Sequence, residues 1–320
     1  MNGRPNAAPS PYVPDKLRFR YRAIRDLKKN RHVYLMLVPV LAYFIIFQYG
    51  PLYGLQIAFK DYKPILGFWK SPWVGFEHFE EFFGSFFFWR LLKNTLLLSL
   101  YSLLFYFPAG IVLALLFNEL SSQKFKRTVQ TITYMPHFIS LVVIVGIMFD
   151  FFARDGLVNQ LLGLFQIQPI PFMRDASWFR TMYVGSELWQ NVGWSSIIYL
   201  AAISNVDPAL YEAAKMDGAG RYKQMLHITF PGILPTISIL LILFIGNFMS
   251  VGTEKILLMY SPVTYETADV IQTYVFRKGI LEFNYSYSAA VGLFNSIISF
   301  TLLILANAVA RRTSESNKLW

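Results

Sequence analysis

Residues 207–220 have the sequence DPALYEAAKMDGAG, and their local chemistry predicts a short helix with a defined start and end. Asp207 is suited to cap a helix that begins at Pro208, because its carboxylate accepts an unpaired backbone N–H and proline loses no hydrogen bond at the first helical position. Gly218 or Gly220 can end this helix in a left-handed turn. The segment therefore predicts a capped helix followed by a tight turn.

A second short helix is predicted over residues 221–230, until Pro231 ends it. Together the two helices would form a helix-turn-helix elbow, residues 205–232, between two apolar segments. Small side chains would let another protein approach the elbow closely, namely Ala213, Ala214 and Ala219. Local chemistry alone leaves a second interpretation open. The segment could be a simple connecting loop, with well-capped short helices, that returns the chain to the membrane.

Six long apolar segments surround the elbow, and each has the length of about 20 residues that a membrane-spanning helix needs. They cover about residues 33–59, 91–117, 129–152, 182–204, 233–251 and 287–310. The composition agrees, since 55% of the residues are hydrophobic and only 15% are charged, against roughly 25% in soluble domains. We therefore predict an all-α, polytopic membrane protein with six transmembrane helices.

The first and fourth segments are predicted to be the least regular. The first contains residues that interrupt helices, Pro39, Gly50, Pro51 and Gly54. The fourth contains polar residues that hydrocarbon rejects unless neighbouring helices cover them, Glu187, Gln190 and Asn191. Such residues are typical of a helix bundle with an interior.

The basic residues predict the topology. Six spans place both termini on one side, where the connecting segments hold 18 Lys or Arg in 81 residues, against 10 in 96 on the other side. By the positive-inside rule both termini are cytoplasmic. We predict a basic cytoplasmic tail over residues 1–32, a transmembrane domain over 33–310 and a cytoplasmic tail over 311–320. The net charge of +10 is then a topology signal and not a nucleic-acid footprint.

Several chemistries are excluded by the sequence. There is no cysteine, and the four histidines stand far apart, which argues against a metal cluster. There is no G-x-x-x-x-G-K-[ST] phosphate loop, no H-E-x-x-H and no G-x-S-x-G motif. Carboxylates are scarce inside the spans, with Glu187 the clearest. The remaining interpretation is transport that is driven from outside the chain.

The run E-A-A-x-x-D-G-A at residues 212–219, followed by I-x-x-P at 228–231 and by Pro235, resembles the EAA loop of permease subunits of bacterial ABC importers that depend on a binding protein. The resemblance extends over about residues 87–310. Three further motifs resemble the carbohydrate-uptake branch, particularly permeases for oligo- or polysaccharides. These are LWQNVGW at 188–194, YMPHF at 134–138 and YETADVI at 265–271.

The resemblance implies a division of labour. This chain would form the pore with a second permease, expected to be a different chain, and would hold no cofactor. Two cytoplasmic ATPases would bind ATP and Mg and supply the energy, and an extracellular binding protein would deliver the sugar in a bacterial cytoplasmic membrane. The loop would dock into the ATPase through six residues, Glu212, Ala213, Ala214, Asp217, Gly218 and Ala219. It would transmit movement and perform no chemistry, so the chain is predicted not to be an enzyme.

Polar residues within the spans are candidates for the substrate path, because sugars are recognised by amides, hydroxyls and aromatic faces. They are Glu187, Trp189, Gln190, Asn191, Asn247, Ser250, Asn295 and Ser299. Asn247 and Ser250 are three apart and Asn295 and Ser299 four apart, so each pair is expected to share a helix face. The alternative is hydrogen bonding between helices, at about 0.6 kcal/mol per contact.

Other features have plainer interpretations. His137 is expected to be a histidine of the bundle or interface, not a ligand. The aromatic run 82–89 predicts an interfacial segment, with a partner groove as the alternative. Residues 254–287 predict either a contact with the binding protein or a solvated loop. Two other functions stay open, an ABC importer for peptides or amino acids and an intramembrane enzyme, which would need paired acidic or metal-binding residues at one depth.

Overall fold

The computed structural model of the chain describes residues 25–26 and 29–313. The predicted basic tail over 1–32 and the predicted tail over 311–320 therefore lie largely outside the described residues. Within the described part, the secondary structure is helical apart from one isolated bridge, between Lys60 and Trp73. The all-α fold class is confirmed.

The chain divides into two compact units, residues 1–56 and 57–320. The first hydrophobic run is built from three consecutive helical segments, α1 (Arg31–Tyr43), a π-helical turn (Phe44–Tyr49) and a 3-10 segment (Gly50–Phe59). The predicted irregularity is confirmed, because the regular α-helix ends before Gly50 and Pro51. Proline cannot donate the backbone hydrogen bond that an α-helix needs at this position.

The second unit contains both short and long helices. In chain order they are α2 (Gly67–Lys70), α3 (Glu77–Gly84), α4 (Phe88–Tyr101), α5 (Phe107–Glu119), α6 (Gln123–Tyr134), α7 (Leu141–Phe151), α8 (Leu157–Gly163), α9 (Ala176–Ser204), α10 (Pro208–Met216), α11 (Arg221–Gln224), α12 (Phe230–Gly246), α13 (Thr253–Met259), α14 (Tyr265–Ala268), α15 (Ile271–Phe276) and α16 (Tyr285–Thr313). Short π-helical turns connect α4 to α5 and α11 to α12, and a third such turn follows α15.

Four helices of the described chain are long and apolar enough to cross a membrane, or five if the bent pair α6 and α7 counts as one span. The four are Arg31–Phe59, Phe88–Glu119, Arg221–Gly246 and Tyr285–Arg311. The predicted third span is not one straight helix, because α6 and α7 meet at an angle of 99°. The predicted fourth span is α9, a continuous helix about 44 Å long at 1.5 Å per residue. It is not among the four helices that are apolar enough to cross a membrane.

Two of the π-helical turns have the same local cause. Each is followed two residues later by a proline, Pro108 after the turn Ser102–Tyr106 and Pro231 after the turn Met225–Thr229. A proline ring clashes with the carbonyl four residues earlier and removes a donor, and a wider turn relieves both problems without ending the helix.

Helix α9 lies at the centre of the second unit, because two hydrophobic clusters form on different faces of it. One joins α9 to α7 and α13 through buried side chains such as Ile144, Tyr183 and Ile256. The other joins it to α5 and α12, with Tyr199 and Ile233 at its centre. Polar side chains on α9 are therefore held at fixed positions by packing on several sides.

Two sequence expectations are corrected by the packing. The aromatic run 82–89 is not purely interfacial, because Phe82 is fully buried and contacts Phe88 and Phe294, whereas Phe86 stays exposed. Residues 254–287 are not a solvated loop. They fold into α13, α14 and α15, and buried apolar residues on these helices extend the core.

Candidate functional sites: an exposed elbow and a polar belt

The elbow begins as its sequence predicts. Helix α10 starts at Pro208, and the Asp207 carboxylate accepts a hydrogen bond from the amide of Ala209 at 2.9 Å. This cap satisfies one of the N–H groups that the start of a helix leaves unpaired.

The end of α10 is a Schellman motif. Gly218 has a φ of +76°, and its amide donates to the carbonyl of Lys215. The next amide, of Ala219, donates to the carbonyl of Ala214 at 2.8 Å. Gly218, and not Gly220, is thus the residue that ends the helix, because only glycine adopts this backbone conformation without strain.

The prediction that Pro231 ends the second helix of the elbow is wrong. The chain from Arg221 to Gly246 is one helical stretch of 26 residues that contains the π-helical turn Met225–Thr229. Movement of the elbow would therefore pass into α12 without an intervening loop.

Two contacts join the elbow to the helix that follows it. The hydroxyl of Tyr211 on α10 lies 3.0 Å from the hydroxyl of Thr229, which is buried in the π-helical turn. The side-chain amide of Gln224 donates to the carbonyl of Ala219 at 2.7 Å. The elbow is thereby tied to the first turns of the long helix at two points.

The predicted docking residues lie together on this elbow. Glu212, Ala213, Asp217 and Gly218 are exposed, and Ala214 and Ala219 are partly buried. Large apolar side chains that the elbow exposes were not predicted. They include Leu210 at 52%, Met216 at 89% and Tyr222 at 71%. Their presence in a short polar loop was the signal that could have identified them. Exposed apolar side chains of this size on a short segment are typical of a contact with another protein.

Polar side chains lie along one side of the middle of α9, namely Glu187, Gln190 and Asn191, and are called the polar belt here. Glu187 accepts a hydrogen bond from the hydroxyl of Ser102 at 2.6 Å. Ser102 begins the π-helical turn between α4 and α5, so this turn presents its hydroxyl to α9. The prediction that neighbouring helices cover the polar residues of this span is confirmed for Glu187, while the predicted irregularity of its backbone is wrong.

Side chains on the next turn of α9 contact the bend between α6 and α7. The amide oxygen of Asn191 accepts a hydrogen bond from Nδ1 of His137 at 2.9 Å. The His137 ring stacks on Trp194, with 4.5 Å between the ring centres and an angle of 6°. The side chain of Gln190 donates to the carbonyl of Ile139 at 3.5 Å. His137 is therefore a bundle histidine, as predicted.

The bend brings together two sequence motifs that lie 54 residues apart, YMPHF at 134–138 and LWQNVGW at 188–194. Gly193 makes the approach possible, because a Cβ atom there would collide with the carbonyl of Thr133. The pairing of the two motifs was not predicted, and His137 and Trp194 are not among the predicted site residues.

Trp189 is half exposed and lies beside a cavity of about 550 Å³ between α7 and α9. The cavity is lined mainly by apolar side chains, including Ile147, Met148 and Phe151. Trp189 therefore faces a different surface from Asn191, whose side chain is hydrogen-bonded to His137 at the bend.

The expectation that Asn247 and Ser250 share a helix face is wrong, since α12 ends at Gly246. Asn247 follows the helix, and its side chain donates back to the carbonyl of Leu243 at 3.0 Å. Ser250 accepts a hydrogen bond from Gln272 at 3.4 Å. Asn247 thus closes the end of α12, and Ser250 lies in the segment that follows.

Asn295 and Ser299 share a face of α16, as predicted. The Asn295 side chain is 4% exposed, and its amide oxygen is buried without a hydrogen-bond partner in the described chain. The hydroxyl of Ser299 is likewise buried and unpaired. Buried polar atoms without partners are costly in a closed bundle, so these two atoms are suited to a polar partner.

The structure buries a cation that the sequence analysis did not select. Lys255 on α13, between the predicted fifth and sixth spans, is 5% exposed, and its ammonium donates to the carbonyl of Tyr183 at 3.1 Å. Burial lowers the pKa of Lys255 to about 8, and the negative charge of Glu187 opposes part of this shift. No residue near Lys255 in sequence signals its burial.

A second charged cluster lies near the start of α9. Asp269 is fully buried and pairs with Arg277 at 2.6 Å and Arg90 at 3.6 Å. Burial acts to lower the pKa of Arg277, but the hydrogen bond and the charge of Asp269 outweigh it, so this pKa is raised. Arg180 on α9 donates to the Asn94 side chain at 2.9 Å. None of these residues is among the predicted site residues.

Comparison with known proteins identifies the class. Residues 106–315 match the family described as binding-protein-dependent transport system inner membrane component. The match covers more than half of the chain, so the chain belongs to this family. It is the permease component of an ABC importer and not an enzyme, which confirms the sequence resemblance.

Two curated relatives come from Bacillus subtilis (strain 168). Protein LplB is 49% identical over 287 residues, which cover 89% of this chain and 90% of that protein. The polygalacturonan/rhamnogalacturonan transport system permease protein YteP is 45% identical over 297 residues, with 92% of each chain covered.

Two solved structures share the fold. One is a bacterial ABC transporter involved in the import of the acidic polysaccharide alginate, with a TM-score of 0.86 and 43% identity over 91% of this chain and 99% of that chain. The other is a bacterial alginate ABC transporter in complex with an alginate pentasaccharide-bound periplasmic protein. Its TM-score is 0.85, at 43% identity over 90% of this chain and 97% of that chain.

Proposed function

We propose that this chain forms, with a second and different permease chain, the membrane pathway of an ATP-driven importer for oligo- or polysaccharides. Two cytoplasmic ATPases bind ATP and Mg, and an extracellular binding protein delivers the sugar. Relatives that are 45% and 43% identical are named for the transport of polysaccharides, which supports this substrate class. The basic excess on the elbow side supports cytoplasmic termini.

The observation that carries the coupling role is the exposed elbow. The elbow offers apolar surface to an ATPase through Leu210, Met216 and Tyr222. Glu212 lies on α10, as do Leu210 and Met216. The Schellman turn and the Tyr211–Thr229 contact make the elbow a rigid extension of α12. Closure of the ATPases would then rotate the long helix as a rigid body and give alternating access.

The polar belt of α9 supplies suitable chemistry for a sugar path. Trp194 is 45% exposed beside the stacked His137, and the Asn191 amide is fixed by its hydrogen bond. Aromatic faces pack against the apolar faces of sugar rings, and fixed amides bond hydroxyls. Asn295 and Ser299, with their unpaired polar atoms, are the second candidate surface.

The first experiment identifies the partners. The tagged chain is extracted in mild detergent, and the proteins that co-purify in stoichiometric amounts are identified by mass spectrometry. We expect an ATPase with a phosphate loop and a second permease chain. Glu212→Lys should lose the ATPase yet stay in the membrane, whereas Glu80→Lys, at an exposed site on α3, should retain it. Recovery of this chain alone would contradict the proposal.

The second experiment identifies the cargo. ATPase activity of the reconstituted importer is measured with the binding protein and with saccharides, peptides or amino acids. Stimulation by oligosaccharides alone is expected. Stimulation by peptides or amino acids would instead establish an importer for another solute.

A further inference from the structure

A groove runs beside the first half of α9, the half farthest from the elbow. Its floor consists of small side chains spaced one helical turn apart, Ser177, Thr181 and Gly185. Tyr101 and Phe105 form part of its wall, and the groove is open to its surroundings with a volume of about 430 Å³. Ligand pockets commonly have volumes of roughly 300–1,000 Å³, so one or more sugar rings fit here.

The groove contains a positive charge that pairs with no carboxylate among the described residues. Arg180 lines it, and Nη2 of this side chain donates to the Asn94 amide oxygen at 2.9 Å. Nε of Arg180 is buried and has no hydrogen-bond partner within the described part of the chain. None of the salt bridges between described residues includes Arg180. An amide oxygen fixes the position of a guanidinium but leaves its charge in place.

Asn94 is itself held firmly. It is 1% exposed, and its NH₂ group donates to the carbonyls of Glu266 at 2.9 Å and Asp269 at 3.0 Å. The guanidinium of Arg180 is therefore positioned before any ligand arrives, which lowers the entropy cost of binding.

The acidic groups nearby are engaged elsewhere or exposed. Glu187, two turns farther along α9, accepts a hydrogen bond from the Ser102 hydroxyl. The Asp269 carboxylate is bound by Arg90 and Arg277, and Asp175 caps α9 by accepting from the Ser177 amide at 2.8 Å. The Glu266 side chain is exposed. The network that joins Arg90, Arg277 and Arg180 thus holds three cations for one buried carboxylate, and its excess charge is positive.

We propose that this groove is a second saccharide subsite, which takes uronic acid units by pairing their carboxylate with Arg180. The hydroxyls of Ser177 and Thr181 would bond sugar hydroxyls, and Tyr101 and Phe105 would contact ring faces. The proposal rests on the proposed sugar import. Arg180 and Asn191 are 11 residues apart on α9, about 16 Å along the helix, so only an extended oligosaccharide reaches both the groove and the polar belt.

Cysteine scanning tests the groove in the assembled importer, because this chain has no cysteine of its own. Thr181→Cys, with Ser177→Cys as a second position, is treated with a negatively and a positively charged methanethiosulfonate reagent of similar size. Modification of this chain is measured by mass spectrometry. We expect the anionic reagent to react about tenfold faster, because Arg180 attracts it at short range.

The charge of Arg180 is then removed. Arg180→Gln should bring the ratio of the two rates close to one, and Arg174→Gln, which changes an exposed arginine outside the groove, should leave it unchanged. The proposal would be overturned if the ratio of the two modification rates were the same in Thr181→Cys alone and in its combinations with Arg180→Gln and Arg174→Gln. Failure of both reagents at both cysteines would also overturn it, because another chain would then cover the groove.

Ligand protection gives the substrate class. A galacturonate trisaccharide should slow modification of Thr181→Cys, and its methyl ester, which is neutral, should not. Equal protection by both sugars, or by neither, would contradict a uronate subsite. If saccharides still stimulate the ATPase while protection fails, only the subsite is wrong. If no saccharide stimulates the ATPase, the proposed sugar import itself fails.

Discussion

The hydroxyl of Tyr211 lies 3.0 Å from the hydroxyl of Thr229 and connects the exposed helix α10 to the first turns of the long helix that follows it. These residues are 18 positions apart, on opposite sides of the Schellman turn. The contact therefore closes the elbow into a small rigid unit.

Loss of this contact should loosen coupling without removing the ATPase. A neutral hydrogen bond contributes about 1 kcal/mol, so Tyr211→Phe should lower sugar uptake per ATP hydrolysed about fivefold in proteoliposomes. Tyr222→Phe is the matched control, because Tyr222 is 71% exposed on the same elbow. The same ratio of uptake to hydrolysis in both variants would contradict a role for the Tyr211 hydroxyl.

The turn at Gly218 should be sensitive to any side chain. Gly218 has a φ of +76°, and an L-residue there costs about 1–2 kcal/mol. Gly218→Ala should therefore reduce the amount of ATPase that co-purifies, and Gly218→Asn should do so less, since asparagine tolerates this conformation better. Gly220→Ala is the control, because Gly220 has a φ of −67° and open space around it. Equal recovery of the ATPase in all three variants would argue against the turn as a docking element.

The bend between α6 and α7 should depend on Gly193. A methyl group there would collide with the Thr133 carbonyl and push α6 away from α9. Overpacking of this kind costs about 1–3 kcal/mol, so Gly193→Ala should lower the thermal unfolding midpoint of the purified complex by several degrees. Gly146→Ala on α7 meets nothing within 4 Å and should leave the midpoint unchanged. An unchanged midpoint in Gly193→Ala, or an equal decrease in both variants, would refute this account of the bend.

Lys255 should make stability depend on pH. Its pKa is about 8 in the folded chain and 10.5 without the burial, so the unfolded chain binds more protons between these values. Stability should therefore rise with pH from about 8 to about 10.5. Lys255→Met should flatten this part of the profile, as followed by thermal unfolding in detergent across the window. An identical pH profile in the variant would show that Lys255 is not the group responsible.

The elbow was predictable in detail because its structure is local. Asp207, Pro208 and Gly218 act on backbone groups within a few residues, so their positions in the sequence specify the cap and the turn. The prediction at Pro231 was wrong because it also relied on a local rule. A rule for isolated helices predicted an end there, but the π-helical turn before it absorbs the proline.

The polar belt was only partly predictable. The side chains of Glu187 and Asn191 are recognisable as polar residues in an apolar span, but their partners, Ser102 and His137, lie 85 and 54 residues away. Asn247 and Ser250 were paired wrongly, because their helix ends at Gly246.

The helical class, the apolar runs and the capped elbow could be predicted from the sequence, because they depend on hydropathy and on backbone chemistry between near neighbours. The 99° bend, the burial of Lys255 and the lack of a carboxylate partner for Arg180 among the described residues became visible only in the folded chain. Burial and charge pairing depend on which distant segments meet, and packing over the whole bundle sets that arrangement.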